Sequence, residues 1–249
     1  MTVDSQPPSP KGNGRRKGPW SQSEIEKLRH RYGLYSDARL SQDLNRSIDS
    51  LRRMAKRVFS GEPRVGPWSA DEVVALKSYI GAAPVDTISL ILRRTPAEIL
   101  RKVEELQSQA VGGPWTSHDL QQLKRLYGTR SDSDLAVILG RPEADIDEKA
   151  RELCLAKDKQ YQRRQAGAQS TKMPRWTPEE EEKLRELYPE RPNLEIAQLL
   201  QRSQKSVVSK AHDLGLKKTD RRLRAMGREN VSLRYRKPEG EAEGGAGAS

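Results

Sequence analysis

Between residues 49 and 57 the chain carries a group of cationic side chains whose spacing suits contact with a polyanion. The group consists of Arg52, Arg53, Lys56 and Arg57. Residues three or four apart share one face of a helix, so these cations would form a single outward stripe. Guanidinium and ammonium groups bind phosphate oxygens and the guanine edge. The stretch therefore predicts a contact with DNA, and a solvated charged surface is the alternative interpretation.

A second stretch, from 205 to 218, mixes cations with small polar side chains. Its candidate contacts are Lys205, Ser209, Lys210, His212, Lys217 and Lys218. Lysine binds phosphate or guanine and serine bonds several base edges, so this mixture suits base reading, with an ordinary polar surface as the alternative. His212 has no partner ligands at helical spacing, so we assign it no metal.

The elements that must position these side chains are marked by the four tryptophans of the chain, which all lie in similar phrases. The phrases are GPWS at 18–21, GPWS at 66–69, GPWT at 113–116 and PRWT at 174–177. Counted from each tryptophan, apolar residues recur without a gap at +8, +12, +20, +24, +31, +35 and +38. This repetition predicts four similar units, which we name repeats one to four, at 18–60, 66–107, 113–155 and 174–218.

Each repeat contains start signals for three helices. A capping box begins the first helix, formed by Ser21 with Glu24, Ser69 with Glu72, Thr116 with Asp119 and Thr177 with Glu180. The second helix covers about +17 to +25, and the third has Ser47, Thr95 or Ser203 as its N-cap, or Pro142 at its first turn. The predicted fold is all-α, with four tandem three-helix bundles that each end in a helix-turn-helix, short linkers and disordered basic arms.

The phrase W-[ST]-x-x-E, a helix with Leu and Tyr, the pattern I/L-x-x-x-L-x-R-[ST] and a final helix resemble the Myb/SANT-like family of helix-turn-helix repeats. The resemblance covers about two thirds of the chain and implies that the third helix of each repeat is the DNA reader. The second and third tryptophans of typical Myb repeats are replaced here by Leu or Ile at +20 and by Ala or Val at +35. This variant is similar to prokaryotic and phage forms, particularly at 202–218.

Two positions that hold the same residue in all four repeats, the tryptophan and the arginine at +26, have structural interpretations. Each tryptophan is expected to fill the centre of a small core, and its truncation to cost about 3–5 kcal/mol. An arginine stands at +26 in every repeat, as Arg46, Arg94, Arg141 and Arg202. It could bond carbonyls at the end of the second helix or hold a phosphate. Its presence in the acidic third repeat favours the structural role.

The third helices of repeats two and three differ from that of repeat one. Their outward positions include Leu100, Arg101, Glu104 and Glu105 in repeat two, and Asp145, Asp147, Glu148 and Glu152 in repeat three. Because carboxylates repel phosphates, we expect repeat three to stay out of a groove and repeat two to contribute weakly. Their alternative roles are to space the outer repeats, to pack against neighbours, or to bind transcription or chromatin proteins, for example through a basic histone-like tail.

Most of the formal net charge of +11 lies outside the repeats. The predicted segments are a disordered basic arm at 1–17, a basic linker at 156–173, and a basic then low-complexity tail at 219–249. Basic arms can follow phosphates or enter a minor groove, and flexible solubilising linkers are the other interpretation.

Composition excludes several classes of protein. With 34% apolar and 5% aromatic residues the chain is too lean for one large core. It has no run of 18 apolar residues and no secretory stretch, so we expect a soluble intracellular protein without a membrane partner. We expect a nucleoid-associated cytoplasmic location in a prokaryote and a nuclear one in a eukaryote.

One cysteine and three histidines form no metal-ligand pattern, and no glycine-rich phosphate loop or nucleophile-base pair is present. We therefore expect no cofactor, no metal, no small-molecule substrate and no enzymatic activity. The predicted function is double-stranded DNA binding through the third helices of repeats one and four, as a transcriptional regulator or nucleoid-associated protein. The alternative is a protein-interaction scaffold that binds partners through repeats two and three.

Overall fold

The computed structural model describes residues 15–166 and 175–235, and these ranges contain fourteen α-helices and no β-strand. The prediction of an all-α chain is confirmed. The chain divides after Lys102 into two compact units. No helix within the described ranges is both long and apolar enough to cross a bilayer.

Unit one contains five complete helices and most of a sixth. They are α1 Gln22–Arg31, α2 Asp37–Asp43, α3 Ile48–Val58, α4 Ala70–Tyr79, α5 Val85–Leu92 and α6 Pro96–Ser108. The predicted capping boxes begin α1 and α4, because the Ser21 and Ser69 hydroxyls accept from the backbone N–H groups of Glu24 and Glu72. Ser47 caps α3 in the same way.

The helices of unit one enclose apolar residues from the repeated columns. α1 and α2 both pack against α3, and the apolar side chains with no exposed surface in the cluster between them are Leu28, Leu40, Leu51 and Ala55. Burying each leucine contributes about 1.5–3 kcal/mol. Leu90 and Ile91 of α5 also pack against this cluster. Gly33, at φ +80°, permits this approach, because a Cβ there would lie 2.8 Å from Ile91 Cδ1.

Unit two contains the remaining helices. They are α7 Ser117–Leu126, α8 Asp132–Leu139, α9 Glu143–Glu152, α10 Lys159–Ala166, α11 Pro178–Leu187, α12 Asn193–Leu199, α13 Gln204–Asp213 and α14 Asp220–Tyr235. One buried cluster forms around Leu123, Leu135 and Ile146, and another around Leu184, Ile196 and Val207.

The two clusters of unit two are joined through the end of α9. Leu194 of α12 packs against the first cluster, and Cys154 packs against the second. Gln204 Nε2 donates to the Leu153 carbonyl at 2.7 Å, and the Gln204 backbone N–H donates to the Cys154 carbonyl at 3.1 Å. Cys154 is half-buried, and this burial raises the pKa of its thiol. The α9 to α13 junction is therefore fixed by packing and by hydrogen bonds.

The first difference from the sequence prediction is α10, a helix that forms at 159–166 within the predicted basic linker. Lys157, just before this helix, lies with its Nζ 3.7 Å from the centroid of the Tyr127 ring. The same Nζ donates to the Arg130 carbonyl and to Asp132, each at 2.7 Å. The Asp158 N–H also bonds the Gly128 carbonyl at 2.8 Å. These contacts tie the start of α10 to the α7–α8 turn.

The second difference is α14, which lies in the predicted basic tail. Lys218 stands 42 residues after Trp176, as Lys157 does after Trp115. Lys218 Nζ lies 3.8 Å from the Tyr188 ring centroid and donates to the Arg191 carbonyl at 2.5 Å. In both repeats this lysine holds the chain against the tyrosine, and a helix begins two residues later. The parts of the predicted arm, linker and tail at 1–14, 167–173 and 236–249 lie outside the described residues.

Candidate nucleic-acid interface

The four cations singled out first lie together on the outer side of α3. Leu51 and Ala55 are fully buried, and they fix the rotation of the helix about its axis. Arg52, Arg53, Lys56 and Arg57 are all exposed as a result. This set, which we name the cationic face, has the outward direction that the spacing predicts.

The cationic face is only partly neutralised within the molecule. Arg52 Nε donates to Asp37 Oδ2 at 2.7 Å, and this hydrogen bond raises the pKa of the guanidinium. Arg53, Lys56 and Arg57 form no ion pair with any residue in 15–166 or 175–235. Their charges are therefore directed at solvent, where a phosphate could approach.

An aromatic contact near the α1–α2 turn was missed by sequence reasoning. Tyr35 is 37% exposed, and the guanidinium groups of Arg39 and Arg31 lie 4.6 Å and 5.7 Å from its ring centroid. A nucleic-acid base can stack on an exposed aromatic ring, and the flanking cations can bind its phosphates. The spacing of four residues on either side of Tyr35 was the signal in the sequence.

Of the predicted contacts of repeat four, Lys205, Ser209 and His212 share one exposed face of α13, and the remaining lysines lie elsewhere. Three lysines of this repeat have partners within the molecule. Lys205 forms an ion pair with Asp158 and Lys210 forms one with Glu181, each at 2.5 Å, and Lys218 lies over the Tyr188 ring. Burial, with a smaller effect of Arg222, lowers the pKa of Lys218 to about 8. Ser209, His212 and Lys217 remain exposed. The outer side of α13 therefore offers polar groups but few available cations.

A further group of exposed cations in unit two lies on and just before α14. Arg221, Arg224 and Arg228 are exposed and spaced three and four apart on the helix, Lys217 is exposed just before it, and we name these four residues the basic stripe. Arg222 turns inward, and its Nη1 bonds Glu229 Oε1 at 2.8 Å. The spacing is visible in the sequence, but the sequence pattern predicts no helix after 218, so the stripe was missed.

The third helix of repeat three has an acidic outer surface. Glu148 and Glu152 are exposed, and the nearby cations are taken up locally. Arg151 Nη2 bonds Asp147 Oδ2 at 2.8 Å, and Lys149 pairs with Glu152. This helix therefore has little to attract a phosphate.

The arginine at +26 has a structural role, as favoured, but its carbonyl partners differ from those considered. Arg46 Nε and Nη2 donate to the two oxygens of Glu24 at 3.1 Å and 2.9 Å. Nη1 and Nη2 donate to the carbonyls of Gly18 and Pro19 at 2.8 Å and 2.7 Å. The guanidinium carbon lies 5.0 Å from the Trp20 ring centroid. We name this arrangement of arginine, capping acid and tryptophan the arginine clasp.

The same clasp is present at the other three tryptophans. The arginine and acid are Arg94 with Glu72, Arg141 with Asp119 and Arg202 with Glu180, and the arginines lie over Trp68, Trp115 and Trp176. The expectation that tryptophan fills the centre of each core is wrong. Each ring is only half-buried, and a guanidinium lies over one of its faces.

Acid should weaken the clasps of unit one. The hydrogen bond from the arginine is the largest cause that lowers the pKa of both Glu24 and Glu72, from 4.5 to about 2. A depressed carboxyl pKa stabilises the fold above the unfolded value, and this contribution is lost as pH falls from 4.5 towards 2. We expect the free energy of unfolding in urea to fall across this window.

The variant Glu24→Gln provides the control for this pH dependence. It lacks the titrating group, so its stability should be lower than that of the wild type at pH 7 and the difference should shrink towards pH 2. A constant difference between the two proteins from pH 7 to pH 2 would contradict the assignment.

No group of three or more His, Cys, Asp or Glu side chains in the described part of the chain is arranged to hold a metal ion. The groups available for binding at this surface are hydrogen-bonding cations and one partly exposed aromatic ring. Comparisons of the chain with protein-family models, with curated proteins and with solved structures give no match.

Proposed function

We propose that the chain binds double-stranded DNA, with α3 as its principal reader. The observation that carries this proposal is the cationic face, where Arg53, Lys56 and Arg57 are exposed and have no acidic partner among the described residues. An α-helix fits the major groove, and α2 and α3 form the pair of helices that a helix-turn-helix requires. The short turn between α2 and α3, followed by the N-cap Ser47 of α3, supports this interpretation.

We also propose that the four repeats are tandem three-helix units of the Myb/SANT-like type. Repeat four provides the second contact with DNA. Ser209, His212 and Lys217 are its candidate groups, because they are exposed. We assign phosphate contacts to the basic stripe, since a row of cations on one helical side can follow a DNA strand. Lys205 stays a candidate contact, because its side chain is 68% exposed beside Asp158, whereas the half-buried Lys210 and Lys218 are assigned structural roles.

The biological role that this binding supports is that of a transcriptional regulator or nucleoid-associated protein without catalytic activity. The chain would act near DNA in the cytoplasm of a prokaryote or in the nucleus of a eukaryote. The partner is the duplex itself, whose phosphates attract the cationic face and the basic stripe.

The salt dependence of binding tests the proposal. With about six phosphates neutralised, the affinity for a labelled 30-base-pair duplex should fall with a log-log slope of about −5 against salt concentration. Fluorescence anisotropy measures this slope. A slope near zero would contradict the proposal, and equal affinity for random and selected duplexes would remove sequence-specific reading from it.

A protein-interaction scaffold is the second candidate function, and the acidic outer surface of α9 favours it. Glu148 and Glu152 are exposed there, and Leu100 of α6 is 51% exposed. Acidic side chains suit a basic peptide segment of a partner protein. This function would replace the first if reversing the charge of Arg52, Arg53 and Lys56 left retention on DNA unchanged.

A further inference from the structure

One ion pair links the two helices of the proposed helix-turn-helix in repeat one. Asp37 is the first residue of α2, after the N-cap Ser36, and Arg52 lies on α3. Leu40 and Leu51 are both fully buried, so the rotation of each helix is fixed. As a result Asp37 Oδ2 stands 2.7 Å from Arg52 Nε. The arginine side chain is 60% exposed and the aspartate 29%, so the pair lies at the surface.

The way in which Arg52 is held leaves its recognition atoms available. Only Nε is used by Asp37, and neither Nη1 nor Nη2 of Arg52 donates to an acceptor within 15–166 or 175–235. The two Nη groups form the rigid end of a planar fork. That fork matches the O6 and N7 acceptors of guanine, whereas adenine offers N7 beside an N6 donor.

The second surface ion pair of repeat one has a different geometry. Arg31 uses a terminal nitrogen, Nη1, to bond Asp43 Oδ2 at 3.1 Å, so its fork is already occupied. The other repeats have no equivalent of the first pair. At the positions of Asp37 and Arg52 they carry Val85 and Leu100, Asp132 and Asp147, and Asn193 and Val208. The arrangement is therefore particular to α2 and α3.

We propose that Arg52 contacts a guanine in the major groove and that Asp37 is the positioning residue that fixes its guanidinium for this contact. The inference rests on the proposed DNA binding and adds the base that one side chain reads. A fork held in place before binding loses less conformational freedom when it meets the base. Asp37 also repels phosphate, so it should lower general affinity while it sharpens discrimination.

The experiment uses the full chain and duplexes selected from a random pool. At the position where the wild type selects guanine, we expect a preference over adenine of about tenfold or more. Asp37→Ala should reduce this preference to about threefold or less and raise affinity for random duplexes about twofold. Arg52→Lys keeps the charge but has no planar fork for Asp37 to hold, so it should reduce the preference to about threefold or less while keeping the salt slope. Asp43→Ala removes the same charge and should keep the preference.

The outcomes separate this inference from the proposed function. Loss of the guanine preference in Asp37→Ala and Arg52→Lys, but not in Asp43→Ala, supports it. A preference that survives Asp37→Ala while affinity for all duplexes rises would overturn it, because Asp37 would then only compete with phosphate. A steep salt slope with no selected guanine would also overturn it and leave DNA binding standing. A flat salt slope would overturn both.

Discussion

Reversing two charges on the cationic face, with Arg53→Glu and Lys56→Glu together, is expected to weaken duplex binding about a hundredfold at 0.1 M salt. Each lost phosphate contact lowers the salt slope by about 1, and the new carboxylates add repulsion. Both side chains are exposed without an acidic partner in the described part of the chain, so their replacement breaks no internal ion pair. Anisotropy titrations at several salt concentrations measure the affinity and the slope together.

The matched control for that variant lies on α1. Lys27 and Arg29 are also exposed, so Lys27→Glu with Arg29→Glu makes the same change in net charge away from α3. We expect this control to lose about tenfold or less, through long-range repulsion alone. Equal losses in the two variants would show that only the net charge matters and would contradict the assignment of α3 as reader. Unchanged helicity in both variants excludes unfolding as the cause.

The largest expected effect on stability comes from the arginine clasp. Arg46→Met should destabilise unit one by about 3–5 kcal/mol, because the buried Glu24 carboxylate keeps only the bonds from Ser21 and a 3.5 Å contact with the exposed Arg16. The side chain of Arg46 is 3% exposed, and the carbonyls of Gly18 and Pro19 would lose their donor as well. Urea unfolding measures the loss, and faster hydrogen exchange over 22–58 would place it in unit one.

Two further variants test the physical cause. Adding Glu24→Gln to Arg46→Met removes the uncompensated charge, so the double variant should be more stable than the single one. Arg202→Met should cost only about 1–2 kcal/mol, because the Arg202 and Glu180 side chains are more exposed, at 13% and 23%. Equal losses for Arg46→Met and Arg202→Met would argue against burial as the source of the effect.

Features that depend on neighbouring residues could be predicted from the sequence. The helix starts at Ser21, Ser47 and Ser69 follow from capping chemistry, which acts within three residues. The burial of Leu51 and Ala55, and with it the outward direction of the cationic face, follows from the helical period. The helix starts and the burial pattern both follow from rules that act over a few residues, and the structure shows both features.

Features that depend on distant partners could not be predicted. Lys205 and Lys210 had the spacing of reader residues, but Asp158 and Glu181 pair with them from other parts of unit two. The tryptophans were assigned to core centres, because nothing in the sequence shows that Arg46 covers the ring from 26 positions away. The start of α10 likewise depends on Lys157 meeting Tyr127, 30 residues earlier.

In repeat one, the residues of the arginine clasp are different from those of the cationic face. The bonds of the clasp lie among Trp20, Glu24 and Arg46, whereas the ion pair between Arg52 and Asp37 on the outer side of α3 lies at the surface and contributes little to stability. Evolution or a laboratory library can therefore exchange the residues at 52, 53, 56 and 57 with little loss of stability. A scaffold of this kind can acquire a new target without being rebuilt.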